Sequence, residues 1–201
     1  MLDRAATALI RPAVNRLASV FVRVGLSANQ MTVIGFLIGM VAALLIANQA
    51  YTAGAVAILA SRLGDALDGA MARRTHPSDA GGFLDIALDF LFYAAIPLAF
   101  AVAQPQANAL AAAVLLAAFI GTGSSFLAFA VIAAKRGLVS LDYPNKSFYF
   151  LGGLTEATET LLCFIAMCVW PQHFSNIAYV FAVLCAATIV TRIGWGWRQF
   201  S

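Results

Sequence analysis

Six long apolar stretches constrain this chain more than any other feature. They run over residues 31–47, 51–62, 83–103, 107–134, 148–170 and 174–193. A helix needs roughly 20 mostly apolar residues to cross a bilayer. The second stretch is short unless it continues through residues 64–72, which contain two aspartates. Composition points the same way. Of the 201 residues, 62% are hydrophobic and only 10% are charged, whereas a soluble domain carries roughly 25% charged residues. Lipid must therefore solvate much of the surface. The expected fold class is all-α, a polytopic membrane protein of six transmembrane helices. The length suits a single domain, 1–201, with no room for a separate soluble module.

The basic residues orient these spans. Arg4, Arg11, Arg16 and Arg23 precede the first. Arg62, Arg73 and Arg74 fall at the second turnaround, Lys135, Arg136 and Lys146 at the fourth, and Arg192 and Arg198 close the chain. The opposite turns, 47–54, 103–109 and 170–176, hold no Lys or Arg. Short loops rich in Lys and Arg stay cytoplasmic, so both termini and residues 65–89 are expected on the cytoplasmic side. Basic residues beside spans touch anionic membrane lipids, and the net charge of +3 gives no reason to invoke nucleic acid. Cys163, Cys168 and Cys185 lie in apolar stretches without a CxxC pair and read as small buried side chains. No cleavable leader is expected, because no apolar core ending in small residues follows the first arginines.

Residues 1–26 read as an interfacial amphipathic helix, with the bundle over 27–201. Ile10, Val14, Leu17, Phe21 and Val24 recur at spacings of four and three and form one stripe. Such a helix lies in the headgroup plane with its apolar face down. Pro12 is expected in its first turn, where no hydrogen bond is lost. Ser27 or Asn29 is expected to cap the first span. Gly35 and Gly39 make a GxxxG that suits either helix packing or a dimer face. Pro97, and Gly152 with Gly153, are expected to kink their spans.

The chemistry lies in four of the nine acidic residues. Asp65 and Asp68, spaced i, i+3, share one helix face, and Asp85 and Asp89, spaced i, i+4, share a face of the next helix. A short polar turn between them would bring all four together. Four ionised carboxylates at membrane depth repel one another, and such groups mark function. Divalent cations resolve the conflict, and an all-oxygen ligand set selects Mg²⁺, Mn²⁺ or Ca²⁺. Paired ions suit displacement at phosphorus. Gly69 leaves room for a diphosphate, and Arg73, about one turn on, presents a fork to phosphate oxygens. Solvated loop charge explains Asp79 and Arg74 but not four aspartates on two faces.

The pattern Asp65-x-x-Asp68-Gly69-x-x-Ala72-Arg73, followed by Gly81-x-x-x-Asp85-x-x-x-Asp89, resembles the signature of the CDP-alcohol phosphotransferases. Seven residues separate Arg73 from Gly81, where that family more often has eight or nine. The stretches from Gly81 to Pro97 and from Lys146 to Glu159 resemble a small bacterial inner-membrane branch. The resemblance implies that Asp65, Asp68, Asp85 and Asp89 ligate Mg²⁺ or Mn²⁺, two ions in all, with Asp89 also the general base. It implies that Gly69, Arg73, Thr32 and Gly81 hold the CDP moiety. The implied reaction moves a phosphatidyl group from CDP-diacylglycerol to an acceptor hydroxyl and releases CMP, in a homodimer of the bacterial inner membrane.

For the acceptor, Lys146 and Arg192 either set topology or hold a phosphate, as in glycerol phosphate or inositol phosphate. Glu156 and Glu159 either pair with those cations or bind an amino alcohol such as serine. His76 and His173 are read as solvated. A cation carrier is the competing class, since intramembrane acids also mark ion paths, but these acids cluster on one side. A catalytically silent scaffold is the third reading, and the complete motif argues against it.

Overall fold

The structure is a computed structural model that describes residues 2–138 and 155–201, with side chains from residue 10 onward. Among the described residues it is all-helical, as expected. In chain order the elements are α1 (Leu2–Arg23), α2 (Ala28–Ala47), α3 (Tyr51–Ala72), α4 (Asp79–Ala103), α5 (Pro105–Lys135), α6 (Ala157–Val169) and α7 (Phe174–Phe200). Four segments are long and apolar enough to cross a membrane: α2, α4, α5 and Pro171–Phe200. The six-span count is thus met in part. α3 is long enough but carries Arg62, Asp65 and Asp68, and α6 has 13 residues. The expected kink at Gly152 and Gly153 lies outside the described residues.

Local chemistry explains the helix ends. Gly25, at φ +84°, closes α1, where a side chain would be strained. Ser27, rather than Asn29, then caps α2 in a reciprocal box. The Gln30 amide donates to Ser27 Oγ at 3.2 Å, and the Ser27 amide donates to Gln30 Oε1 at 2.9 Å. Ser78 caps α4 by accepting from the Gly81 amide at 3.1 Å. α3 does not stop at Arg62. It runs unbroken to Ala72, so Asp65 and Asp68 are helical.

Packing corrects two expectations and decides between the alternatives of a third. Pro12 is not in the first turn of α1, because the helix starts at Leu2 and carries the proline in its interior. The stripe on α1 does not face one way. Val14 and Ala18 are buried against Met31, Leu67, Ala70 and Met71, whereas Ile10, Leu17 and Val24 are exposed. The bundle, rather than lipid alone, thus takes part of that face. Gly35 and Gly39 serve helix packing, because both pack within the chain. A Cβ at Gly64 would stand 2.9 Å from Gly35 Cα, and one at Gly39 would stand 2.9 Å from Ser61 Oγ. Ser61 Oγ also donates to the Gly35 carbonyl at 2.8 Å, locking α2 to α3.

The main core lies between α2, α3, α4, α5, α6 and α7 and is rich in aromatic rings. Phe100 stacks on Phe174 at 4.6 Å and on Tyr51 at 5.6 Å. Phe92, Tyr93, Phe119 and Phe164 meet edge to face or tilted. Pro97 is buried inside α4. The three cysteines are free and buried, as expected. The acidic residues stand at one end of this core, where α2, α3 and α4 converge.

Candidate active site

Helix geometry carries Asp65 and Asp68 on one face of α3 and Asp85 and Asp89 on one face of α4. Tight approach of α2 to α3 at Gly35 and Gly64 holds the first pair beside the start of α2. A second glycine brings α4 in. A Cβ at Gly81 would lie 2.8 Å from Asn29 Oδ1, whereas one at Gly82 would meet open space. Of the two neighbouring glycines, Gly81 is therefore the one at a close approach, to the side chains of Asn29 and Ser78.

The result is one pocket lined by Thr32, Gly35, Phe36, Arg62, Asp65, Asp68, Asp85, Leu88 and Asp89. Each of Asp65, Asp68 and Asp85 offers a carboxylate oxygen within 4.8 Å of the others. Asp68 is buried, and its Oδ2 has no hydrogen-bond partner. A buried carboxylate oxygen left unpaired is costly. Hard divalent ions take all-oxygen sets of this kind, so the residues present fit such an ion. Thr32 lies at the pocket wall, its hydroxyl donating to the Ala28 carbonyl at 3.1 Å.

Arg73 caps the C-terminal end of α3 and is exposed. Its Nη1 folds back over Gly69, where a Cβ would stand 3.3 Å away. Gly69 thus leaves the space in which the guanidinium lies. Asp79, the acid excluded from the set, is exposed in the first turn of α4.

Arg192, Glu156 and Glu159 are not among the residues that line this pocket. Arg192 on α7 is buried, donates from Nη1 to the Thr122 carbonyl of α5 at 2.8 Å, and sits 5.7 Å from the Phe126 ring centre. Its Nε has no hydrogen-bond partner. Glu156 precedes α6, and its amide donates to the Glu159 carboxylate at 3.2 Å. Glu159 is therefore a capping group of its own helix rather than a partner for a distant cation. Lys146 lies outside the described residues.

Arg62 is the site residue that the sequence reading missed. By sequence it falls with Arg73 and Arg74 at the second turnaround, because it ends an apolar run. In the structure it lies inside α3, and its Nη1 donates to Asp89 Oδ1 at 2.7 Å and lies 3.7 Å from Asp65 Oδ1. Its guanidinium carbon stands 4.0 Å above the Phe92 ring. The signal was present: Arg62 is three residues before Asp65, on the aspartate face.

Comparison with known proteins places this geometry. The sequence model described as CDP-alcohol phosphatidyltransferase matches residues 26–193. The inner membrane protein YnjF of Escherichia coli (strain K12) is 50% identical over 197 residues, covering 98% of this chain and 96% of that protein. An archaetidylinositol phosphate synthase of Methanothermobacter thermautotrophicus is 26% identical over 88% of this chain and 86% of its own length. Among solved structures, the Mycobacterium tuberculosis phosphatidylinositol phosphate synthase PgsA1 with CDP-DAG bound has a TM-score of 0.74 and 24% identity, covering 92% of this chain and 93% of that one. The same enzyme in complex with manganese and citrate has a TM-score of 0.73 at 24% identity, over 92% and 88% of the two chains. The chain belongs to the CDP-alcohol phosphatidyltransferase family and is a phosphotransferase.

Proposed function

We propose that the chain transfers a phosphatidyl group from CDP-diacylglycerol to a small acceptor alcohol in phospholipid synthesis, releasing CMP. The observation that carries this reading is the pocket in which Asp65, Asp68, Asp85 and Asp89 converge from two helices beside Thr32. The fold shared with an enzyme solved with CDP-DAG bound supports the donor. Asp65, Asp68 and Asp85 would hold Mg²⁺ or Mn²⁺, an ion that neutralises the diphosphate and the departing CMP. Arg73 forks to a phosphate oxygen over Gly69, and Thr32 and Gly81 flank the CDP moiety. Asp89 accepts the proton of the attacking hydroxyl. The acceptor oxygen bonds to the phosphorus that bears diacylglycerol, the P–O bond to the CMP phosphate breaks, and CMP leaves with the bridging oxygen.

The acceptor carries a phosphate, as in glycerol phosphate or inositol phosphate. Arg192, with an unpartnered Nε, and Lys146 supply its charge. Two similar enzymes are named for inositol phosphate lipids, which favours this choice over serine. CMP release from CDP-diacylglycerol by the purified protein in nanodiscs, against glycerol phosphate, inositol phosphate and serine, tests the reading. Turnover with serine that ignores Arg192→Ala would overturn the acceptor.

In the membrane, the proposed layout is a single domain, 1–201, with α3 and α6 completing six spans and α1 at the interface. Both termini and the site face the cytoplasm. The 50% identity to a protein named for the inner membrane supports that membrane here. A cysteine at Thr75 should resist labelling from outside intact cells, while one at Gln106 should react. The chain forms a homodimer, and with Gly35 and Gly39 engaged inside the chain, its seam falls on the exposed apolar faces of α4 or α5, such as Leu91 and Leu98 or Ile120 and Val131.

A further inference from the structure

Helix α1 carries two apolar faces, and the bundle covers one of them. We infer that the other seats in an anionic bilayer surface, and that α1, held there, braces the turns of α3 that bear Asp68, Gly69 and Arg73. The brace stands on the packing alone, while its consequence for turnover rests on the reading of this chain as a phosphatidyl transferase.

Helix geometry separates the two faces. Ile10, Leu17, Val20 and Val24 recur at spacings of seven, three and four, so they form one line along α1. All four are exposed. Val14 and Ala18, four apart, form a neighbouring line and are buried. Arg16 and Arg23, seven apart, run along the far edge of the exposed line and are exposed themselves. Residues 10–24 contain no acid. An apolar line edged by uncompensated arginine suits lipid chains on one side and anionic headgroups on the other. A second copy docked through the same face would bring arginines toward arginines.

The inner face meets the helix of the first aspartates. Val14 and Ala18 share a buried cluster with Leu67, Ala70 and Met71 of α3 and Met31 of α2. Leu67, Ala70 and Met71, spaced i, i+3 and i+4, back the turns that carry Asp68 and Gly69, and Arg73 follows as the cap. Beyond Ala72 the chain runs out into an exposed segment, residues 73–80. Within this cluster, the cover for the last turns of α3 comes from α1 and the start of α2. The seam is thin. Among the described side chains of α1, only Val14 and Ala18 are buried, while four branched apolar side chains stand on the outer line. α1 therefore gains more apolar cover from a bilayer than from the bundle. Gly25, at φ +84°, is the joint between α1 and α2, the point about which α1 would swing if the surface released it.

Amide hydrogen exchange over residues 66–73, read by mass spectrometry without substrate, tests the brace in nanodiscs of phosphatidylcholine with and without phosphatidylserine. Exchange there should slow roughly five- to tenfold when the anionic lipid is present, the scale set by two arginines at a charged surface. Arg16→Gln/Arg23→Gln should lose that response. Arg198→Gln, at an exposed arginine in the last turn of α7, should keep it. A nitroxide on Val20→Cys should be reached by oxygen dissolved in lipid and not by an aqueous nickel chelate. The rate of CMP release should follow the same lipid dependence. Equal exchange in both bilayers, or a response unchanged in Arg16→Gln/Arg23→Gln, overturns the inference. So does a nitroxide shielded from both reagents, which would put a second copy on this face. Slowed exchange with no CMP release in either bilayer would uphold the brace and refute the proposed reaction instead.

Discussion

Arg62, partly buried, and Arg192, buried, both lie inside helices, one where α2, α3 and α4 converge and the other between α5 and α7, but their partners differ in kind. Arg62 meets the carboxylates of Asp65 and Asp89 and the face of Phe92. Arg192 donates to a main-chain carbonyl, that of Thr122, and stands 5.7 Å from the Phe126 ring. A buried charge is tolerated when ionised partners compensate it. The first region sets carboxylates directly against its guanidinium, while in the second Glu156 acts on Arg192 through space and the Arg192 Nε has no hydrogen-bond partner. Under the proposed function, the donor's chemistry is assigned to the first region and recognition of the acceptor to the second.

The largest effects should separate the catalytic acids from their surroundings. Asp65→Asn, Asp68→Asn, Asp85→Asn and Asp89→Asn should each lower the rate of CMP release by at least about two orders of magnitude, as expected on loss of a metal ligand or base. Asp79→Asn, exposed in the first turn of α4, should change it little. Equal losses for Asp79 and Asp85 would break the assignment of the site to two helix faces.

The two arginines come next. Arg192→Ala should raise the KM for a phosphorylated acceptor roughly ten- to a hundredfold, since a charge-assisted contact is worth on the order of 1.5–3 kcal/mol. Donor affinity should hardly move. Arg62→Ala should act on kcat instead, by roughly tenfold or more, because it unsettles the base rather than the acceptor. If both variants shifted the same parameter, the division between the regions would fall.

A smaller contrast lies in packing. Gly64→Ala pushes a Cβ onto the backbone of Gly35, at 2.9 Å from its Cα, and should destabilise the protein by about 1–3 kcal/mol. Gly121→Ala meets only the flexible end of Ile189 and should cost less. Thermal unfolding in detergent would rank the two. Smallest of all, Gly82→Ala should be nearly silent while Gly81→Ala, crowded by Asn29 Oδ1, is felt in activity.

Much of this was legible beforehand because it depends on near neighbours in the chain. The i, i+3 and i, i+4 spacings of the aspartates sufficed to place them on two faces, and Ser27 was one of the two residues expected to cap α2. Hydropathy was a poorer guide where charge and helix coincide. Arg62 ended an apolar run and so passed for a loop residue, although α3 continues for ten residues beyond it, to Ala72. Gly35 and Gly39 could not reveal whether they faced another chain or α3, since a small-residue stripe is the same surface in either case. Glu159 looked available for a distant cation until its carboxylate was seen to accept from the Glu156 amide.

By itself, then, the sequence determined the helical class and the pairing of four carboxylates on two helix faces, which the fold brings into one pocket. Each of these follows from composition or from spacing within one or two turns. The tertiary structure alone decided that Arg62 belongs with Asp89, 27 residues away. It also decided that Gly81 rather than Gly82 sits at the close approach, and that Arg192 faces Thr122 across 70 residues of chain. The physical reason is that helix periodicity sets which side chains share a face, but only the interlocking of α2, α3 and α4 at Gly35, Gly64 and Gly81 sets which faces meet.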